Sequence, residues 1–536
     1  MALQVRKAIK EDFEKLLKLV WFQKEPREKS GEFLEISQPL SKVARFYEWL
    51  RNVIDIKEEH LLRRNAIFRI IRREIVIEGK KNNLAYHLLK ELIAGGYLAS
   101  NAVLESEVKE YEAIIQKYQK LVRNFSFVED KEKIDWWLSV ASVEIDKKLS
   151  PDFYQKEKII SSIAFKGLKN LISNLPDNFS EKDFEVLLKL SILKIIFKYD
   201  LPVLRERLIN SHLPNWNEVN DLENIGLEKL EELRIFIEKK IRDPYLVKVS
   251  RFVKRYALFF WLLDDSLNEA LILSDNFEEF RSKVLNEDSF KAIVERSYFK
   301  RLKKSEEKLG RLTIRSIFFL LLTKTILALI FELPYDLYIE KRTDYTPLFV
   351  NIIFHPLFLG FLAYSFKLKK PQPDLATKGV EEMFFEVEKS EIVKPVKIMP
   401  PRSRKAENLL KFAWLVSFFV VFGLIVRILC YLNFNIVSIF FFIFFLTLVS
   451  YLGWRARNIV SEAMILKEKS TFLSLLVDFF SLPVIKMGER LSAGLPNLNV
   501  FIFLMDFIIE SPFKAILKGL EEWFAFLKEK KEEIEI

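Results

Sequence analysis

The first 310 residues alternate apolar and polar side chains at the spacing of an α-helix. Apolar residues recur every three or four positions, and a representative stripe contains Leu227, Leu230, Leu233, Phe236 and Ile237. This spacing gathers apolar side chains on one face of a helix, whereas a half-buried strand would alternate at every second position. The pattern therefore predicts an all-α fold, with residues 1–310 forming a cytosolic helical region of one or two subdomains.

Turn-forming residues divide this region into separate helices. Breaks are expected at Gly95-Gly96 and at Pro151, Pro202 and Pro214, because glycine and proline interrupt helices. Ser180 precedes Glu-Lys-Asp and is predicted to cap a helix. The intervals predict helices of about 12–20 residues joined by short loops.

Beyond residue 311 the pattern changes to long apolar stretches. Residues 345–366 carry no formal charge, and residues 412–454 carry one, Arg427. A helix needs about 20 residues to cross a bilayer, so the second stretch is long enough for two crossings. The polar break at 431–435 is the natural tip of that hairpin. Four spans are predicted, at roughly 315–338, 346–366, 410–431 and 435–454; buried core helices are the alternative.

The spans divide the rest of the chain into regions. A first transmembrane hairpin is expected over 311–366 and a second over 410–455, with a cytoplasmic basic loop over 367–409 between them. Residues 456–536 are predicted to form an interfacial, amphipathic tail. Within this tail, the apolar segment 472–485 is shorter than a helix needs to cross a bilayer. The charges at 506, 510, 514 and 518 share one helix face, so 498–518 either lies on the membrane or forms a fifth span.

The composition agrees with a polar part joined to a membrane part. The chain has 536 residues, 50% of them hydrophobic, with 49 Phe and only 14 Gly. These values exclude disordered and collagen-like chains. A single cysteine excludes a disulfide framework and a cysteine-based metal site, and four histidines without a ligand pattern do not favour a zinc enzyme. No metal or cofactor is predicted.

The position of basic residues predicts the orientation of the spans. The net charge is +10. Lys and Arg precede the first span, fill the segment between the second and third, and follow the fourth, whereas the two opposite turns are poor in them. Basic flanks stay in the cytoplasm, so both termini and the 367–409 loop are expected there, at the inner membrane. The charged start, without an apolar stretch, predicts no cleavable signal peptide.

Five polar residues in the first hairpin are the main candidate site; we call them the intramembrane cluster. They are Lys324, Glu332, Asp336, Asn351 and His355. With a hairpin tip near 343–344, Glu332 is expected opposite His355 and Asp336 opposite Asn351, with Lys324 deeper and unpaired with Glu332. The cluster is interpreted as a lock between helices, with a proton or transport path and a lipid-interface position as alternatives.

A second group of residues could contact lipid headgroups or other anions. It comprises Arg63, Arg64, Arg72 and Arg73, near Arg69, and Lys367, Lys369 and Lys370 after the second span. The arginines are interleaved with isoleucine and phenylalanine, so a solvated helix whose side-chain stems pack on the protein is the alternative. The mixed charge of the first 310 residues does not favour nucleic acid as a partner.

Nucleotide-binding, metalloprotease and serine-hydrolase motifs do not occur in the sequence, so an enzyme is not predicted.

Four stretches, 94–98, 135–139, 324–336 and 499–514, resemble a family of multi-pass membrane proteins from small-genome bacteria that has no known activity. The resemblance implies the same architecture and transfers no site residues. We therefore expect a structural, scaffold or assembly role, with membrane lipids, protein partners or a second copy as partners. An oligomeric transporter or channel is the alternative.

Overall fold

The structure is a computed structural model that describes residues 3–24, 31–34, 59–79, 82–99, 101–126, 130–176, 179–214, 216, 226–341, 345–367, 371–398, 404–462, 464 and 472–494. Helices account for 81% of it and strands for 2%. The all-α fold predicted from the apolar spacing is confirmed.

The N-terminal region contains eleven helices within the described residues. In chain order they are α1 (Lys10–Phe22), α2 (Glu59–Arg72), α3 (Leu84–Ala94), α4 (Val108–Val122), α5 (Lys131–Leu149), α6 (Pro151–Lys169), α7 (Glu181–Ile195), α8 (Leu201–His212), α9 (Leu227–Ile241), α10 (Pro244–Ile272) and α11 (Phe277–Leu285). The Ser180 hydroxyl accepts a hydrogen bond from the Asp183 amide at 3.1 Å, as predicted for a helix cap. Helix α10 has 29 residues and exceeds the predicted length range.

A single long helix connects this region to the apolar stretches. Helix α12 (Glu287–Leu327) continues through two π-helical segments, Ala328–Glu332 and Tyr335–Glu340. The uninterrupted helical stretch is 54 residues long. The expected division at residue 310 therefore falls inside a continuous helix and is not a break in the backbone.

The hydrophobic core of the N-terminal region extends over all of its helices. Trp137, Phe184, Phe259 and Phe290 are among its largest fully buried side chains. Phe290 lies in the first turn of α12, so the long helix starts inside this core. Burial of an aromatic side chain contributes roughly 1.5–3 kcal/mol, so the start of α12 is firmly held.

The segment between the second and third spans, expected to be a basic loop, is largely folded. Helix α14 (Pro373–Phe384) packs on α10 and α12, and strand β2 (Val396–Lys397) pairs in parallel with β1 (Ile172–Asn174). The Glu382 carboxylate accepts backbone hydrogen bonds from residues 391, 392 and 393 at 2.8–3.0 Å. Sequence patterning misses this arrangement because its partners are distant in the chain. It places the segment and the N-terminal region at the same end of the spans.

The docking of α14 on α10 depends on Gly379. A Cβ atom at this position would lie 2.2 Å from Cε1 of the buried Phe259 ring. We expect Gly379→Ala to lower the free energy of unfolding by about 1–2 kcal/mol, since overpacking outweighs the gain in helix propensity. Denaturant unfolding in mild detergent measures this.

Gly167→Ala is the matched control for that substitution. Gly167 lies on α6, where an added Cβ would meet Met383 of α14 at 3.8 Å, an ordinary contact. This variant should be as stable as the wild type or slightly more stable. Equal stability of the two variants would contradict the role given to Gly379.

Within the described residues, four helices are long and apolar enough to cross a membrane. They are the C-terminal part of the 287–340 stretch, α13 (Thr346–Lys367), α15 (Arg404–Tyr431) and α16 (Ile436–Ser461). Many large apolar side chains on their outer faces are exposed, among them Phe318, Phe361 and Phe419. Lipid can cover such faces, so the helices suggest a membrane protein.

The last described helix packs against two of the spans. Helix α17 (Phe472–Gly494) contacts α15 where the Ser417 hydroxyl lies 3.4 Å from the Phe479 carbonyl. It contacts α16 where Gly488 lies close to the Thr447 carbonyl. Helix α17 is not among the four candidate spans found in the described residues, and the expectation that 472–485 does not cross the bilayer stays a prediction. The predicted amphipathic stretch at 498–518 lies outside the described residues.

Candidate functional site

The intramembrane cluster lies in the interior of the span bundle. Lys324, Glu332, Asn351 and His355 are 0% exposed and Asp336 is 5% exposed. Helices α12 and α13 supply these side chains, and α16 covers them from a third side. Polar groups at membrane depth are costly unless they are paired, so the partners of these residues define what the site can do.

The π-helical turns set the register between α12 and α13. Glu332 and Asp336 lie in the two π segments, separated by Leu333 and Pro334. Proline has no backbone N–H and disturbs the regular ladder, and a π turn, closed by i→i+5 bonds, advances less per residue than an α turn. Residues before these turns therefore lie nearer the hairpin tip than a uniform α-helix would place them.

The predicted pairs are consequently wrong by about one turn. Glu332 contacts Asn351 instead of His355, and Asp336 contacts a residue of α16 instead of Asn351. His355 contacts Lys324. Hydrogen bonds link Lys324, His355, Asn351 and Glu332, and Asp336 is connected to them through Asn435 and Ser438. Among the described contacts, no direct hydrogen bond joins Lys324 and Glu332. The depth calculation failed because it assumed α-helical rise throughout.

One half of the cluster is a contact between two nitrogen bases. The Lys324 Nζ atom lies 2.5 Å from His355 Nδ1, and His355 Nε2 lies 3.0 Å from the Phe442 carbonyl oxygen. A carbonyl only accepts, so Nε2 carries a proton and donates it. Nδ1 lies within hydrogen-bond distance of two groups, the Lys324 Nζ atom and the Asn351 carbonyl oxygen at 3.2 Å. The Lys324 Nζ atom also faces the Phe442 and Phe445 rings at 5.7 and 5.1 Å.

The other half is centred on the Glu332 carboxylate. Its Oε2 atom accepts hydrogen bonds from Asn351 Nδ2 and from the Ser438 hydroxyl, both at 2.7 Å. Asn351 Nδ2 also lies 3.3 Å from the Ser438 carbonyl oxygen. These contacts join three spans around one carboxylate, because Ser438 belongs to α16.

Asp336 completes the cluster near the hairpin tips. Its Oδ1 atom accepts a hydrogen bond from Asn435 Nδ2 at 2.5 Å. Asn435 caps α16, and its Oδ1 atom accepts from the Ser438 amide at 2.6 Å. Sequence analysis treated Asn435 only as part of a turn and missed Ser438. Asn435 and Ser438 have the spacing of a helix N-cap residue and the residue whose amide it binds. This spacing is the sequence signal that could have identified them.

Two oxygen atoms in the cluster remain without a donor. Among the described residues, neither Glu332 Oε1 nor Asn351 Oδ1 has a hydrogen-bond partner, although both residues are fully buried. A buried acceptor without a donor is costly. These two oxygen atoms are therefore the positions in the cluster where a hydrogen-bond donor is missing.

The second predicted group does not form an open anion site at its arginines. Arg63 pairs with Asp146 at 2.6 Å, Arg72 with Asp135 at 2.5 Å, and Arg73 with Glu91 at 2.6 Å. Arg64 is 3% exposed and pairs with Asp200. Burial lowers the pKa of Arg73, but the hydrogen bond and charge of Glu91 outweigh it and raise the pKa overall.

These arginines instead fasten α2 to its neighbours, since their guanidinium groups are used within the protein. The lipid or anion role expected for Arg63, Arg64, Arg72 and Arg73 is not supported by this arrangement. Lys367 ends α13, as expected for a residue after the second span, while Lys369 and Lys370 lie outside the described residues.

A buried ion pair in the N-terminal region was missed by sequence analysis. Lys117 Nζ lies 2.7 and 2.8 Å from the two Glu144 carboxylate oxygens, and the Tyr118 hydroxyl donates to the same carboxylate at 2.8 Å. Burial lowers the pKa of Lys117 and raises that of Glu144, and in each case the partner opposes the shift. Lys and Glu at 27 residues' separation give no local signal, so only the tertiary fold reveals the pair.

Within the described part of the chain, no group of three or more His, Cys, Asp or Glu side chains is arranged to hold a metal ion. The resemblance to multi-pass membrane proteins of small-genome bacteria stays a prediction. No protein family, no curated protein and no solved structure matches this chain.

Proposed function

We propose that the protein is a membrane-embedded helical scaffold with an assembly or interaction role at the cytoplasmic membrane of a bacterium. The observation that carries this proposal is the uninterrupted helical stretch Glu287–Glu340. Its first turns are buried in the core of the helical region, at Phe290, Val294 and Tyr298. Its last turns supply Glu332 and Asp336 to the intramembrane cluster.

A continuous helix of this length fixes the helical region relative to the spans. At 1.5 Å per residue it measures about 80 Å, and no flexible linker separates its two ends. Helix α14, which packs on α10, adds a second attachment, and the Lys198–Glu462 ion pair at 2.8 Å adds a third. A helical region attached this rigidly to the spans would hold its protein partners at a defined distance from the membrane.

The intramembrane cluster supports the same proposal as a lock. Its hydrogen bonds join α12, α13 and α16 at three levels, through His355, Glu332 and Asp336. Interhelical hydrogen bonds at membrane depth specify which helices associate and in which register. This lock would hold α12, and the helical region attached to it, in one position relative to α13 and α16.

We further propose that the helical region and the segment containing α14 face the cytoplasm. The basic flanks of the spans support this orientation. In a Cys430→Ser background, Glu388→Cys lies at the helical-region end and Tyr431→Cys at the opposite hairpin tip; both positions are exposed. We expect an impermeant maleimide to label residue 431 in intact spheroplasts and residue 388 only after permeabilisation. The reverse labelling would overturn the orientation.

Crosslinking in native membranes tests the scaffold role itself. A lysine-reactive crosslinker followed by purification in mild detergent should recover a stoichiometric protein partner or a second copy of the chain. Crosslinks should map to exposed lysines of the helical region, such as Lys158 and Lys229. Recovery of the monomer alone, under conditions that preserve a known membrane complex, would contradict the proposal.

An oligomeric transporter or channel is the second candidate. It is favoured by Glu332 Oε1 and Asn351 Oδ1, two buried acceptors that have no donor among the described residues, because polar groups inside a span bundle can line a path for a polar substrate. Proton flux into liposomes containing the purified protein tests this function, with Glu332→Gln as the variant that cannot ionise. Four spans are few for such a path, so a protein that remains monomeric in liposomes or shows Glu332-independent flux would exclude it.

A further inference from the structure

A cavity lies where the helical region meets the ends of the spans. Its volume is about 770 Å³, and its walls come from α10, the middle of α12 and the C-terminal end of α16. Arg315 is the last charge before the first apolar stretch, and Arg455 is the first after the fourth span. The cavity is lined by Arg455 and by α12 residues that precede Arg315, so it lies at the end of these spans that adjoins the helical region.

The walls of the cavity carry more positive than negative charge. Six basic and three acidic side chains line it. The acidic residues are already paired: Asp265 with Arg301 at 2.5 Å, Glu269 with Lys300 at 2.5 Å, and Glu462 with Lys198 at 2.8 Å. Lys304 and Arg455 belong to none of these pairs, and both are exposed. Lys304 and Arg455 are therefore the positive groups of the cavity wall that can bind an anion.

The cavity is partly pre-organised for such a ligand. The Arg301 guanidinium is held by Asp265 and lies 5.5 Å from the centre of the Trp261 ring. On the α16 side, the Tyr451 and Trp454 rings stack at 6.2 Å. Stacked aromatic rings at the end of a span contact both the glycerol and the upper acyl region of a lipid. Ser297, also in the wall, has a buried hydroxyl without a partner among the described residues.

We propose that this cavity binds the phosphate headgroup of an anionic phospholipid. Lys304 and Arg455 would contact the phosphate from α12 and α16, and Tyr451 and Trp454 would contact the glycerol end. The volume exceeds that of a free phosphate and lies within the usual range for small-molecule sites. The inference rests on the membrane placement proposed above. Its test does not require partner binding or transport, so it can fail independently of them.

Binding is measured on the full chain purified in a neutral detergent. Short-chain phosphatidylglycerol should raise the unfolding temperature at concentrations where matched phosphatidylcholine does not. Inorganic phosphate is the third arm and separates a lipid from a soluble phosphate. If phosphate at low millimolar concentration replaces the lipid effect, or if the two lipids act alike, the proposal is overturned.

The variant that tests the site is Lys304→Gln with Arg455→Gln. Each basic residue near an anionic lipid contributes to binding, so its dissociation constant for phosphatidylglycerol should rise about thirtyfold. The matched control is Lys303→Gln with Arg311→Gln, which removes the same charge from α12 outside the cavity. The control should change binding less than about threefold. Equal losses would mean general surface attraction and would overturn the site.

Photocrosslinking of the wild-type protein makes the test independent of whether the variant folds. A phosphatidylglycerol with a photoreactive group near its headgroup should label peptides covering 297–308 and 451–462. Excess unlabelled phosphatidylglycerol should remove this labelling. Labelling confined to other parts of the chain would overturn the proposal.

Discussion

Replacing Glu332 with leucine is expected to lower the free energy of unfolding by about 3 kcal/mol, because it removes one member of a buried group of charges. Asn351 Nδ2 and the Ser438 hydroxyl would lose their shared acceptor. The attraction between the Glu332 carboxylate and Lys324 would also be lost. Unfolding of the full chain in mixed detergent micelles measures this change.

Four further variants, including Lys324→Leu alone, separate the contributions. Ser438→Ala removes only one hydrogen bond to the carboxylate and should cost about 0.6 kcal/mol. Lys324→Leu combined with Glu332→Leu removes both charges and should cost clearly less than the two single substitutions added together. Ile330→Ala is the control on the same helix, since Ile330 faces outward with 56% exposure. It should change stability by less than about 0.5 kcal/mol.

Additive effects of Lys324→Leu and Glu332→Leu would contradict an electrostatic coupling across the cluster. A Glu332→Leu protein as stable as Ile330→Ala would contradict the lock as a whole. Either result would leave the transport candidate open, because a proton-binding residue need not stabilise the fold.

The apolar stretches predict the spans well because a bilayer imposes a minimum length on each crossing. The predicted second and third spans, 346–366 and 410–431, lie within helices α13 and α15, and the hairpin tip falls at the predicted break. The sequence around Ser180 was also enough to predict a helix cap, because the Ser180 hydroxyl accepts a hydrogen bond from the first turn of the helix that follows it. These are features that short segments determine by themselves.

The partners within the candidate site could not be predicted in the same way. Sequence analysis correctly gathered Lys324, Glu332, Asp336, Asn351 and His355, because polar groups avoid lipid. It paired them incorrectly because the π turns around Pro334 depend on packing against α13 and α16. The spacing of Asn435 and Ser438 indicates a helix start, but it carries no signal that the Ser438 hydroxyl binds Glu332. The same limit applies to α14, whose contacts with α10 connect residues over 100 positions apart.

Replacing Lys117 with methionine is expected to destabilise the helical region by about 3–5 kcal/mol at pH 7, because it leaves the Glu144 carboxylate buried and unpaired. Lys117 is 3% exposed and Glu144 is 5% exposed, so water cannot replace the lost partner. Lys117→Met combined with Glu144→Leu removes both charges and should recover most of the stability. Fluorescence of the stacked Trp137 and Trp216 rings, 5.7 Å apart beside the pair, reports unfolding at this site.

The same argument predicts how the Lys117→Met effect depends on pH. Burial already raises the pKa of Glu144 above its ordinary value of 4.5, and loss of Lys117 removes the main opposing charge. The folded variant therefore binds a proton at pH values where the unfolded chain has released it, so its stability falls as pH rises above about 4.5. The deficit relative to the wild type should shrink between pH 7 and pH 5. Lys15→Met removes an exposed i, i+4 pair with Glu11 and should leave the stability almost unchanged at both pH values. A Lys117→Met deficit that is equally small, or that grows on acidification, would show that the buried pair does not hold α4 and α5 together.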